Sequence, residues 1–152
     1  MSGRTIVELG RPKAYRPLPT EARADALDAG LAAYDRGDWF LAHELLEPAW
    51  MGASDPRERA FHSGLIKLAA AGVHGARGNP GGLAKNLAGA RLRFAALVDA
   101  DPVSSGGALD LAGLPAADDI DLAALLAAVD ARLVAESSQP SLADPPAIPR
   151  RS

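Results

Sequence analysis

The sequence predicts an all-α protein, an antiparallel bundle of about five helices with the second, residues 39–52, at its centre. Three observations point there. The 48% hydrophobic content is mostly alanine and leucine with few β-branched residues, a balance that favours helices over strands. Apolar residues recur at intervals of three and four along four segments, the spacing of one helix face. Capping residues open these helices, and glycine closes the first three. A chain of 152 residues suits a single core. The expected organisation is an extended N-terminal arm over 1–19, one helical domain over 20–136, and a disordered Pro/Ser-rich tail over 137–152.

In the arm, Pro12, Pro17 and Pro19 stand among arginines. Thr20 can cap a first helix carrying Ala24, Leu27, Leu31 and Tyr34, which Gly37 ends. Asp38 caps the second helix, expected to fade near Gly52, and the tight turn between them predicts antiparallel packing. Asp55-Pro56-Arg57-Glu58 combines a cap, a first-turn proline and an acidic third position, opening a third helix that reaches about Arg77. Gly64, Gly72 and Gly75 lie on or beside its apolar face. An interior glycine costs about 1 kcal/mol relative to alanine, so each predicts the close approach of a neighbour. Gly78-Asn79-Pro80-Gly81-Gly82 separates this helix from a fourth, with Leu83, Leu87, Ala90, Phe94 and Leu97 apolar, ending near Val98. After a Gly/Ala/Pro connection over 101–117, Asp118 or Asp119 can cap a fifth helix through Leu122, Leu125, Leu126, Val129 and Leu133.

Composition narrows the function classes. Lys and Arg total 16 against 19 Asp and Glu, a net charge of −3, and the cations form no run interleaved with aromatics, so nucleic acid is not an expected partner. No apolar run is long enough to span a bilayer and no signal pattern opens the chain, so a cytoplasmic protein without a membrane partner is expected. With no cysteine, disulfides, thiolate metal sites and thiol nucleophiles are excluded together.

The informative stretch is the second helix, Trp39-Phe-Leu-Ala-His-Glu-Leu-Leu-Glu-Pro-Ala-Trp50. At about 100° per residue, His43 and Glu47 share a face with Trp39 and Trp50, while Leu41, Leu45 and Pro48 lie opposite. A helix apolar nearly all round is expected to be buried. Its carboxylates, Glu47 and Glu44, then need a cation, a metal, a donor or enclosed water. Pro48 cannot donate to the Glu44 carbonyl and should kink the helix there. On the third helix, Ser63, Lys67 and His74 form a second polar stripe with Arg59 and Arg77, facing either the first stripe or solvent. His62 falls at the boundary and is expected near the surface. Ser63 and Lys67 are also spaced like a serine–lysine nucleophile pair, but no oxyanion-hole turn accompanies them.

Phe40-x-x-His43-Glu44-x-x-Glu47-x-x-Trp50, then Gly64-Leu65-Ile66, His74 and Gly78-Asn79, resembles the domain of unknown function 309 family over roughly residues 34–100. The resemblance implies a small all-helical domain without an established biochemical role, whose members are labelled predicted metal-dependent hydrolases. The commoner family pattern has glutamine where this chain has Ser63 and Lys67.

Two main readings follow, and a third. In the first, His43, Glu44, Glu47, Trp50, Ser63, Lys67 and His74 form a buried polar pocket between helices two and three. That pocket is either structural, with Glu47 paired to Lys67 or an arginine, or binds a small polar ligand. In the second, a metal-dependent hydrolase holds a divalent metal on His43, Glu47 and His74, with Glu44 as base on a bound water. The chain lacks the second histidine of the His-Glu-x-x-His metalloprotease pattern. In the third, the alanine-rich fifth helix or the tail serves a protein–protein interaction, and a homo-oligomer stays open.

Overall fold

The computed structural model describes residues 5–8, 11–14, 17–98, 117 and 119–151. Among them run two short strands, β1 (Thr5–Glu8) and β2 (Arg11–Ala14), and five helices, α1 (Thr20–Asp35), α2 (Trp39–Gly52), α3 (Pro56–Ala76), α4 (Pro80–Val98) and α5 (Leu122–Ser138). The protein is an all-α helical bundle, as its periodicity predicts. The arm is not simply extended: β1 and β2 pair antiparallel, with Thr5 opposite Ala14 and Glu8 opposite Arg11. No helix among the described residues is long and apolar enough to cross a membrane.

Local chemistry sets most boundaries. Asp38 accepts from the Leu41 amide at 3.3 Å and Asp55 from the Arg57 amide at 2.8 Å, so both caps act where the sequence puts them. The Arg57 side chain also bonds to Asp55 and holds that carboxyl below its usual range. Gly37 and Gly78 take positive φ, 81° and 76°, just past α1 and α3, a conformation that closes a helix and that glycine adopts at no steric cost. Two expected caps differ. Thr20 is already the first helical residue, following Pro19, and its side chain makes no cap bond. Asp121, whose Oδ1 accepts from the Ala124 amide at 3.0 Å, caps α5 instead of Asp119; Asp118 and the connection over 101–116 lie outside the described residues.

Each helix packs against its neighbours in chain order: α1 on α2, α2 on α3, α3 on α4 and α4 on α5. With α2 and α4 on either side, α3 buries the broadest arc, Phe61, His62, Gly64, Leu65, Leu68, Ala69, Ala71 and Gly72. The centre is therefore shared between α2 and α3, and α2 is not buried all round. Phe40, 60% exposed, and Leu41 face outward at its start, because α1 and α3 cover only part of its circumference. Pro48 stands inside α2 without ending it.

The glycines of α3 are where helices meet closely. A Cβ on Gly64 would lie 2.4 Å from the Phe94 ring of α4, one on Gly72 2.4 Å from the Trp39 indole of α2, and one on Gly75 2.9 Å from Leu83. Trp39 is held on its other side by an edge-to-face contact with Tyr34, ring centroids 4.9 Å apart.

The C-terminal tail is not the disordered segment its composition predicts. Residues 139–151 return across the bundle. Tyr34 donates its hydroxyl to the Pro146 carbonyl at 2.7 Å, and burial pushes the Tyr34 phenol well above its ordinary pKa. Ile148 is buried, the amide of Asp121 donates to the Pro149 carbonyl, and that of Arg151 to the Asp119 carbonyl. At the start of the tail, Glu136 accepts from the Ser141 amide and hydroxyl and from Arg132, whose guanidinium also reaches the carbonyls of Ala143 and Asp144. The Ser141 hydroxyl above all holds the Glu136 carboxyl below its usual range. Serine and proline content signals disorder only when nothing offers the segment a partner; here Glu136, Arg132 and Tyr34 do.

Candidate functional site

A cleft of about 640 Å3 lies between α2, α3 and α4. From α2 come His43, Glu47 and Trp50, from α3 Ser63, Ile66, Lys67, Ala70 and His74. The polar stripe of α3 thus faces the His43–Glu47 stripe across the groove, and six of the seven residues expected in the pocket line it. Glu44 does not. It stands at the solvent edge of α2, its side chain 47% exposed and 4.0 Å from His43 Nδ1. Arg59 leaves the stripe to lie over the Trp50 ring, 4.6 Å from its centroid, while bonding to the carbonyls of Trp50 and Ala53. Arg77 is exposed.

The sequence reading missed the third wall. Asn79, Gly82, Lys85, Asn86 and Arg93 close the cleft from α4. A signal was available: Gly82, Asn86, Gly89 and Arg93 recur at four, three and four, a small and polar stripe beside the Leu83, Leu87, Ala90, Phe94 stripe.

Hydrogen bonds fix how several of these groups can act. Asn79 Oδ1 accepts from the Gly82 amide at 2.9 Å, capping α4, which leaves Asn79 Nδ2 as the donor to His74 Nδ1 at 3.1 Å. His74 Nδ1 is then the acceptor and the proton of the neutral ring sits on Nε2. Gly82 makes this approach possible, since a Cβ there would be 2.4 Å from His74 Nδ1. Arg93 Nε donates to Ser63 Oγ at 2.6 Å and its Nη1 to the Gly89 carbonyl at 3.0 Å, tying α3 to α4. Asn86 Nδ2 donates to the Gly82 carbonyl at 2.8 Å.

Glu47 is buried, 7% exposed, as its face predicts, but among the described residues Lys67 is not its partner: no ion pair joins them. Lys67 instead crosses toward α4, its Cδ 3.3 Å from where a Cβ on Gly89 would be.

The residues present do not fit a metal centre. Among the described residues no group of three or more His, Asp and Glu side chains could hold a metal ion, so His43, Glu47 and His74 share a cleft without forming a ligand set. The His74 tautomer points the same way. A ligating histidine ordinarily donates its second ring nitrogen to an acceptor, whereas His74 Nδ1 accepts from an amide and leaves Nε2 protonated. Lys67, Lys85 and Arg93 add positive charge to the same groove. The base assigned to Glu44 has no place in it.

A second polar cluster, at the other side of α3, escaped the sequence altogether. Glu58, 2% exposed, accepts Arg23 Nε at 2.6 Å and Nη2 at 3.2 Å, a two-pronged pair, and Arg23 Nη1 reaches the carbonyls of Leu18 and Gly52. One turn on, His62 is fully buried instead of lying at the surface, because α3 is covered on two sides and its apolar arc is wider than one partner would require. His62 Nδ1 donates to the Glu58 carbonyl at 2.9 Å, and its Nε2 has no partner among the described residues. Burial pushes its pKa below the ordinary 6.5. The unfolded chain therefore binds a proton that the folded one refuses. Stability should be full above about pH 6.5 and fall by up to about 1.4 kcal/mol per pH unit below it, until the folded value is reached. Urea melts between pH 7.5 and 5 check this. His62→Phe should flatten that slope, and an equal slope in the variant would assign it to other groups.

The fold and the site define a class: a small all-α bundle with a polar cleft between three consecutive helices, among whose described residues no metal-ligand set is formed. The family described as Domain of unknown function (DUF309) matches residues 27–86, from the middle of α1 into the first turns of α4. No curated protein and no solved structure matches the chain.

Proposed function

We propose that this domain is a non-catalytic binding module whose cleft between α2, α3 and α4 takes a small polar ligand. The observation that carries the reading is the convergence of His43, Ser63, Lys67, His74, Lys85 and Asn86 on one groove of about 640 Å3, within the size range of small-molecule sites. A purely structural network would be expected to close on itself, with each polar group answering another; here Ser63, His74 and Asn86 have partners, but the Lys67 and Lys85 side chains line the groove with none among the described residues. Ile66, Ala70 and Trp50 supply the apolar lining such a site needs.

Thermal melts of the full chain against a panel of polar metabolites test it. A ligand present at about a hundredfold excess over its Kd stabilises by about 2.7 kcal/mol, which for a chain of this size is a rise in Tm of roughly 5–10 °C. Ala70→Phe, which fills the groove, should abolish that rise while the variant still melts cooperatively. If no panel member shifts the melt, and no small molecule is released from the purified protein on denaturation, the cleft is structural.

A further inference from the structure

Resting on the reading of the cleft as a ligand site, we propose that its occupant is a small molecule bearing a multiply charged oxyanion, a phosphoryl group in the first place, held between Lys67, Lys85 and Arg93. The chain as a whole is acidic, with net charge −3, yet this one groove gathers three cations against the single carboxylate of Glu47. Among the described residues neither the Lys67 nor the Lys85 side chain makes a hydrogen bond or ion pair. Two of the cations are moreover brought together. A Cβ on Gly89 would lie 3.5 Å from Lys67 Cε and 3.6 Å from Arg93 Nη1, so the lysine chain crosses over that glycine beside the guanidinium. Like charges set side by side disfavour one another, and an anion between them removes that cost.

The remaining donors agree in sign. His74, with its proton on Nε2, lines the groove as a donor, and Asn79 and Gly82 bring the positive end of the 19-residue α4 to the same place. Arg93 already gives Nε to Ser63 and one Nη1 proton to Gly89, so its side-on Nε/Nη2 fork is not available to a carboxylate. The site therefore presents separate point donors around a centre. That arrangement suits the three outward oxygens of a phosphoryl group better than the two coplanar oxygens of one carboxylate.

Isothermal titration of the full chain with pyrophosphate, and in parallel with citrate, tests this at constant ionic strength. Calorimetry is needed because phosphate and similar salts raise melting temperatures without a site. The expected result is saturable binding of one pyrophosphate per chain, weakened at least tenfold by Lys67→Gln and by Lys85→Gln, and unchanged by Arg36→Gln at the exposed end of α1. Both lysine variants should retain the wild-type circular dichroism and melt, since each keeps most of its side-chain stem. Citrate binding at least as tightly, with the same lysine dependence, would support the oxyanion site and overturn the phosphoryl preference. Binding indifferent to both lysines, or no binding of either anion, would overturn the inference. In that last case, a neutral panel member whose effect Ala70→Phe removes would leave the ligand-site reading standing, and none would remove both.

Discussion

Arg23→Met is expected to lower the unfolding free energy by about 3–5 kcal/mol, the largest loss anticipated for any polar residue of the bundle. The reason is what it strands. Glu58 is 2% exposed and receives two bonds from the Arg23 guanidinium, so removing the cation leaves a carboxylate buried without its charge partner. The carbonyls of Leu18 and Gly52 lose a donor as well. The arm residue Leu18 is held there by its own amide, which donates to the Pro48 carbonyl, so this pair ties the start of α1, the end of α2 and the start of α3 together. Denaturant melts at pH 7 measure the loss. The double variant Arg23→Met, Glu58→Gln should recover part of it, because the stranded charge goes with its partner. A single variant within about 1 kcal/mol of wild type would mean that the pair is effectively solvated.

Phe94→Ala should cost about 3–5 kcal/mol, and the glycine opposite it decides how the loss behaves. Phe94 is fully buried, tilted against Phe61 with ring centroids 6.4 Å apart, and its ring occupies the space over Gly64 that a Cβ would fill. Gly64→Ala gains helix propensity, about 1 kcal/mol, but drives a methyl to 2.4 Å from a ring held on its other side, and overpacking of this kind costs about 1–3 kcal/mol. The single variant should therefore be destabilised on balance. In the Phe94→Ala background the clash is gone and the same substitution should stabilise. Reversal of sign between the two backgrounds, read from denaturant melts, is the expected outcome; additive effects would show that Gly64 and Phe94 do not meet.

How legible all this is in the sequence depends on whether a residue's role is local. Asp38, Asp55, Pro56, Gly37 and Gly78 set helix ends through contacts a few residues away, and their positions can be read directly. The face shared by His43, Glu47 and Trp50 is likewise a property of one helix. What depends on a second element is harder to see. His62 lies at the edge of the apolar arc, and only the presence of both α2 and α4 against α3 carries that edge inside. Glu58 reads as an ordinary first-turn acid until Arg23, 35 residues earlier, is brought beside it. Helix periodicity brings Lys67 and Glu47 to the same groove and suggests Lys67 or an arginine as the partner of Glu47, but the Lys67 chain turns across Gly89 toward α4. The small and polar wall of α4 has its own period, masked by the stronger leucine period next to it. The tail misleads because its partners, Tyr34, Arg132 and Glu136, belong to other segments or serve equally well as surface residues.

On the proposed reading, the groove between α2, α3 and α4 is where this domain meets its ligand. Backbone amide chemical shifts recorded during a pyrophosphate titration test it most directly, because they report place as well as binding. Saturable shifts are expected at Lys67, His74, Gly82, Asn86 and Gly89, with the Arg23–Glu58–His62 side of α3 unmoved. Shifts centred on that other side, or scattered over exposed lysines and arginines without saturation, would contradict it.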